Sequence, residues 1–274
     1  MHNNINKTPL NKNIKINSLE NIMDSGPNLS GTAPSAPLRK GILFGIKPST
    51  KAIAPYGLYQ SSGLGFGKAL PKKVNGMYNL NSYLTSALLG LMLGDGWLEC
   101  SAKSRSINAR FGLKQSIINL PFAWSTYLLF SVLCGSLPIM TTGKRGNTTT
   151  LSISFKTRAL PCLTLFYLQF YINGTKIVPA SLLINLDGVA LAYWIMSDGS
   201  FEKGGLILCT DNFTMKEVCL LISILHYNFG IDCTLRLVKN KYYRIYIRKN
   251  SMDTVRKLVM PHMHPHFLYK IKSD

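Results

Sequence analysis

Hydrophobic and polar positions along this chain fall into two periods, and the change from one to the other marks out the elements. Residues 1–76 hold neither period. Asn, Lys, Ser, Pro and Gly dominate there, as in NKNIKINSLENIMDSGPNLSGTAPSAP, which predicts a disordered or loosely packed extension. Gly41 to Gly67 is more apolar but broken by Pro and Gly, and no signal-peptide apolar region precedes a cleavage site. From Tyr78 onward, apolar runs of helical length take turns with two-residue alternations. A helix is predicted through Leu84 to Asp95, with Asn81 or Ser82 as its cap, and Trp97 to Cys100 leaves it as a strand. Across Ser106 to Ser116, Arg110, Gly112 and Lys114 take one face while Phe111, Leu113 and Gln115 take the other. A helix over Pro121 to Leu133 and a turn at Gly143 to Asn147 follow. The next strand, Thr149 to Lys156, turns Leu151, Ile153 and Phe155 to the core; a helix over Leu160 to Phe170 and a turn at Asn173 and Gly174 come after it. The order then repeats: helix Val189 to Asp198, a turn, and strand Gly205 to Thr210. Helix Met215 to Asn228 lies between a Thr214 cap and Gly230, a hairpin turns around Lys239 and Asn240, and a closing helix runs from Met252 to about Met260.

The repeat is sharpest at Ala87 to Glu99, ALLGLMLGDGWLE, and at Ala190 to Ser200, ALAYWIMSDGS. Each is an apolar helix ending in Asp and Gly, and the acids Asp95 and Asp198 stand about 100 residues apart, the span of one small domain. Duplication of a fold explains the interval. A helix stopping at Gly predicts the left-handed conformation that Gly tolerates. Each Asp meets the negative end of a helix dipole, at a cost of about 0.3–1 kcal/mol. Packed side by side, the two helices bring like charges together, and a hard divalent cation, Mg²⁺ above all, relieves both penalties.

Charge narrows the partners. The chain carries 31 basic and 12 acidic residues, a net charge of +19. Between Glu99 and Asp187 there is no acid at all. Such a field favours a polyanion, nucleic acid first. Superposing the repeats pairs Phe155 with Ile247, hence Lys156 with Arg248 and Ser152 with Arg244, so Arg110, Lys114, Lys156, Arg244 and Arg248 become the candidate DNA-binding residues on two polar sheet faces. The six cysteines include no CxxC pair, which argues against structural zinc; they read as thiols buried in a reducing compartment. Phe122 to Met140 is long enough to span a bilayer, but Ser125, Thr126, Ser131, Gly135, Ser136 and Pro138 interrupt it, and a buried soluble helix is the better account.

With these residues in place, the chain resembles the LAGLIDADG homing endonucleases encoded in organelle introns. The nine-residue motif lies at Leu88 to Gly96 (LLGLMLGDG) and Leu191 to Gly199 (LAYWIMSDG), and FGLKQS at 111–116, SFKTRALPC at 154–162 and HPHFLYKI at 264–271 extend the likeness. The resemblance implies an α+β protein of two pseudo-symmetric αββαββα halves, residues 77–182 and 183–274, with saddle-shaped DNA-binding sheets. It implies a monomer that cuts both strands of a double-stranded DNA site, leaves 3′ overhangs and promotes mobility of its own intron. Asp95 and Asp198 become the ligands of two or more Mg²⁺ ions. Gln115 matches a family glutamine that orders water near the metals, with Asp211 at its counterpart in the second half. Lys176 and Lys270 match basic residues near the scissile phosphate. Ser197 stands where relatives often carry Asp. The HMHPH cluster, 262–266, takes a structural place, since its spacing fits no standard zinc pattern. The alternative reading is an RNA maturase that assists splicing of its own group I intron. Family habit points to the mitochondrial matrix.

Overall fold

A computed structural model describes residues 71–272, apart from 101–106 and 146–147. All of them belong to one compact unit spanning residues 47–274. The extension expected over 1–76 therefore lies largely outside the described residues; its last stretch, Lys72–Gly76, is a short helix, α1.

The first repeat opens with α2 (Ser82–Leu93), capped by the Asn81 side chain, which accepts from Leu84 N at 2.7 Å. Then come β1 (Trp97–Glu99), β2 (Arg110–Ser116), α3 (Leu120–Phe130), β3 (Ile139–Arg145), β4 (Thr148–Lys156) and α4 (Pro161–Phe170). A hairpin of two-residue strands, β5 (Tyr171–Ile172) and β6 (Thr175–Lys176), turns through Asn173 and Gly174, both with positive φ. After the single turn α5 (Leu182–Asn185), the order returns as α6 (Gly188–Asp198), β7 (Gly199–Glu202), β8 (Gly205–Leu208), α7 (Met215–Phe229), β9 (Cys233–Val238), β10 (Tyr242–Ile247) and α8 (Met252–Val259). The two sheets have the same order, β1-β2-β4-β3 and β7-β8-β10-β9, antiparallel throughout. This is the αββαββα arrangement, twice.

One continuous core holds both repeats. Leu88, Leu91 and Met92 of α2 and Leu191, Trp194 and Ile195 of α6 are fully buried in it, with Phe111 and Phe130 on one side and Leu221 and Ile245 on the other. Burial of an apolar side chain contributes about 1.5–3 kcal/mol, so this seam dominates the cohesion of the unit.

Several local expectations change. The apolar run 122–140 breaks into α3, a 3₁₀ turn (Ser131–Leu133) and the start of β3, a strand that hydrophobic patterning does not predict. No helix among the described residues is long and apolar enough to cross a membrane. Leu151 is 38% exposed and lies outside the core. Ladder register also moves the correspondence between the halves. Trp97, Gly112 and Lys156 are cross-strand neighbours, as are Ser200, Ile207 and Tyr246. Lys156 thus matches Tyr246 rather than Arg248, Ser154 matches Arg244, and Gln115 matches Thr210 rather than Asp211. The two-residue slip along β4 and β10 keeps every side chain on its face, which is why alternation alone misses it.

Candidate nuclease site

The site begins with two small residues. A Cβ added to Gly90 would lie 2.1 Å from the Ala190 carbonyl oxygen, and one added to Gly94 would lie 2.4 Å from Ser197 Cβ. One turn apart on α2, the two glycines let its backbone touch α6. Ser197 fits the crossing because it is small, although its buried hydroxyl finds no hydrogen-bond partner among the described residues. The opposite end is pinned by Asp187. One of its oxygens caps α6 by accepting from Ala190 N at 2.8 Å, and the other accepts from the Ser86 hydroxyl of α2 at 2.6 Å.

Close approach brings both C-termini, and hence both motif acids, to one place. Gly94 stands next to the Asp198 carboxyl: its hypothetical Cβ would be 3.5 Å from Asp198 Cγ. The glycines after the acids are not left-handed. Gly199 has φ −79°, and Gly96 is absent from the positive-φ residues. Glycine is required there for space instead, since a Cβ at Gly96 would meet Leu91 O and Phe111 at 2.8 Å, and one at Gly199 would meet Ile195 O at 2.6 Å.

Two lysines close the helix ends. Lys176 Nζ donates to Gly96 O at 2.9 Å and Gly94 O at 3.3 Å. Lys270 Nζ, buried, donates to Met196 O at 2.6 Å, Ile195 O at 3.2 Å and Ser197 O at 3.4 Å. Each ammonium satisfies carbonyls left over at a helix terminus and places positive charge where the dipole favours it. The resemblance puts both lysines near a scissile phosphate; the structure seats them on backbone oxygens beside the acid pair.

The electrostatics follow from crowding two acids and two lysines at the paired helix ends. Burial raises the Asp198 pKa to about 7, helped by the repulsion of Asp95 and opposed by Lys176 and Lys270. Asp95 keeps an open flank to solvent, yet the protein around the rest of it still raises its pKa. A hydrogen bond from Gln115 and the charges of Lys270 and Lys176 oppose that rise. Burial lowers Lys176 to about 8 and lowers Lys270, both against the pull of the two acids.

Gln115 donates from Nε2 to Asp95 Oδ2 at 2.7 Å. Thr210, in the matching position, turns away and donates to Tyr243 O at 2.6 Å. Asp211 lies one residue further and is held by Arg244 through two hydrogen bonds of 2.7 and 2.6 Å; that fork keeps its pKa below the usual carboxylate range. Asp211 is therefore committed to Arg244 rather than being a third acid aimed at the centre.

The polar sheet faces carry the other sequence candidates. Lys114 is exposed on β2. Arg110 and Lys156 converge on Glu99, Lys156 at 3.1 Å, so that hydrogen bonds from the two cations hold the Glu99 pKa down against partial burial. Arg248 lies just past β10 and is exposed. Sequence reasoning missed Arg236, which stacks on the Tyr246 ring at 3.5 Å and donates to Glu202 at 3.0 Å. Glu202 occupies the place in β7 that Glu99 occupies in β1, a correspondence the motif offset already contains. Sequence reasoning also missed Asn119, which donates to Gln115 Oε1 at 3.0 Å, and His266, whose Nε2 lies 3.4 Å from Asn119 Oδ1. In the HMHPH segment, His264 Nδ1 accepts from His266 N at 3.1 Å. Among the described residues no three His, Cys, Asp or Glu side chains gather as a metal cluster. All six cysteines are free; Cys134 is buried while Cys100 and Cys219 are exposed.

Two αββαββα halves joined along acid-tipped helices, with a basic and aromatic sheet face on each, define a pseudo-symmetric protein built like a dimer in one chain. The model of the LAGLIDADG DNA endonuclease family matches residues 85–255, and the chain belongs to that family. It is 30% identical over 210 residues to cytochrome b mRNA maturase bI2 of Saccharomyces cerevisiae, a match covering 72% of this chain and 49% of that protein. It is 37% identical over 108 residues to the intron-encoded endonuclease ai4 of Dictyostelium discoideum, covering 38% of this chain and 67% of that one. The chain thus spans about half the length of the yeast relative. Among solved structures, the homing endonuclease I-WcaI bound to its DNA recognition sequence matches 77% of this chain and 96% of its own, with a TM-score of 0.70 and 24% identity, a likeness of fold.

Proposed function

We propose that the chain is a site-specific, divalent-metal-dependent DNA endonuclease that cuts both strands, leaves 3′ overhangs and promotes mobility of the intron that encodes it. The observation that carries this reading is the convergence of Asp95 and Asp198 at the touching ends of α2 and α6. The donor set suits a hard cation. It consists of carboxylate oxygens, both with raised pKa values: burial raises Asp95, and burial together with the charge of Asp95 raises Asp198. Asp95 and Asp198 would hold Mg²⁺, which when bound activates water and neutralises the leaving oxygen of a phosphodiester. The protein's own part is to fix the carboxylates. Lys176 and Lys270 tie down the strands of backbone that carry them, and Gln115 orients Asp95. Arg110, Lys114, Lys156, Arg244 and Arg248, joined by Arg236, supply the cationic sheet faces that track phosphates.

The mitochondrial matrix is the compartment this reading implies, with the protein acting as a monomer. A second reading, an RNA maturase for its own intron, is favoured by the similarity to the yeast maturase. One assay separates them. A plasmid carrying the intronless junction is incubated with the protein and Mg²⁺, and the intron RNA is tested for binding and accelerated splicing. Cutting at the junction supports the endonuclease; splicing help from a protein that cuts no DNA supports the maturase.

A further inference from the structure

Gln115 is itself held by a chain of side chains that crosses from one repeat to the other. His266 Nε2 faces Asn119 Oδ1 at 3.4 Å, Asn119 Nδ2 donates to Gln115 Oε1 at 3.0 Å, and Gln115 Nε2 donates to Asp95 Oδ2 at 2.7 Å. The direction of every link is fixed from the acid end. A carboxylate only accepts, so Gln115 must turn its amide nitrogen toward Asp95 and its oxygen toward Asn119. Asn119 must then present its nitrogen to Gln115 and its oxygen to His266, which leaves His266 to donate from Nε2. His266 lies in the 3₁₀ segment Pro265–Lys270, which also carries Lys270, while Asn119 lies in the turn between β2 and α3. The C-terminal segment of the second repeat therefore reaches the acids of both motifs: Lys270 on the α6 terminus, His266 on Asp95 through two amides. Thr210, bound to Tyr243 O, supplies no such link to Asp198.

We propose that Asn119 and His266 are positioning residues that lock the Gln115 amide, and through it the Asp95 carboxylate, in the orientation the reaction uses. The proposal rests on the nuclease reading for its kinetic consequence, but not for its geometry. Outer partners of this kind typically contribute 10–100-fold in affinity or rate.

Two measurements test it on the full chain. The first needs neither metal nor DNA: ¹⁵N NMR of the histidine side chains at pH 8 reads the tautomer of His266, expected as Nε2–H. An Nδ1–H tautomer reverses the link and overturns the proposal even if the protein cuts DNA. The second is a mutant cycle on single-turnover cleavage with affinity for the same DNA measured in Ca²⁺. Asn119→Ala and Gln115→Ala should each slow cleavage about tenfold or more, the double variant should be no slower than Gln115→Ala, and affinity should stay within about twofold. His266→Gln, which keeps a donor, should retain the rate that His266→Phe loses. Additive losses, or losses that follow affinity or folding, overturn the proposal. A wild-type protein that cuts no DNA overturns the nuclease reading instead, and a His266 Nε2–H signal left unshifted by Asn119→Ala then overturns the chain of bonds.

Discussion

At the residue scale, the most informative group is Asp198. Its pKa is about 7 in the fold and near 3.8 when exposed, so the folded state binds the extra proton. The stability this gives is fully present below the unfolded value and is lost as pH rises through about 7. Glu99, Asp211 and Glu217 have lowered values and act with the opposite sign, so the wild-type curve mixes both. The difference between wild type and Asp198→Asn isolates the site. Without metal, the variant should melt several degrees higher than wild type at pH 8 and with it at pH 4, measured by circular dichroism; equal melting at pH 8 would mean the carboxylate is comfortable in the fold. The sequence made both acids legible because the motif is local. It did not reveal what surrounds them. Lys176 and Lys270 could be placed near the acids by resemblance, but the carbonyls they satisfy lie about 80 residues away in the chain. Gln115 and its match in the second half were separated by one residue, Thr210 against Asp211, because only cross-strand pairing decides the register.

At the element scale, the crossing of α2 and α6 depends on absent side chains. Gly90→Ala should destabilise by ~3 kcal/mol, toward the upper end of overpacking costs, since the new Cβ meets the rigid Ala190 carbonyl. Gly94→Ala should cost less, because its new Cβ would meet one atom closer than 3.0 Å, Ser197 Cβ, where that of Gly90 would meet three. Denaturant unfolding of the two variants checks the order. α7 tests a different signal. Thr214 and Glu217 form a full capping box, and Gly230 closes the helix at φ 64°. Thr214→Ala should cost ~1 kcal/mol in the same assay. That helix was readable end to end because its caps are written locally. β3 was not readable: its residues continue an apolar run that begins in α3, and Ile139 and Met140 remain exposed at the sheet edge, so burial left no alternation to find.

At the scale of the whole molecule, a net charge of +19 and three carboxylates on the sheet faces work against each other. Glu99, Glu202 and Asp211 engage Arg110, Lys156, Arg236 and Arg244 in the free protein. On the nuclease reading, DNA has to compete for those cations, which would temper binding to arbitrary sequence. Glu99→Gln should tighten binding to random duplex about threefold or more and steepen its dependence on salt, read by fluorescence anisotropy over a salt series. Unchanged affinity would place Arg110 and Lys156 away from the DNA. The duplicated architecture was legible because the same order of elements appears twice. The contacts that make the halves one machine are long-range: Ser86 with Asp187, Asn119 with His266, Lys270 with α6.

The central claim is that Asp95 and Asp198 jointly hold the ions that cut a phosphodiester. Its most direct test is cleavage of the intronless junction by wild type, Asp95→Asn and Asp198→Asn with Mg²⁺, each variant first shown by anisotropy in Ca²⁺ to bind that DNA. The account predicts double-strand cutting by wild type and loss of cutting, with binding kept, in both variants. Cutting at the wild-type rate by either variant would contradict it.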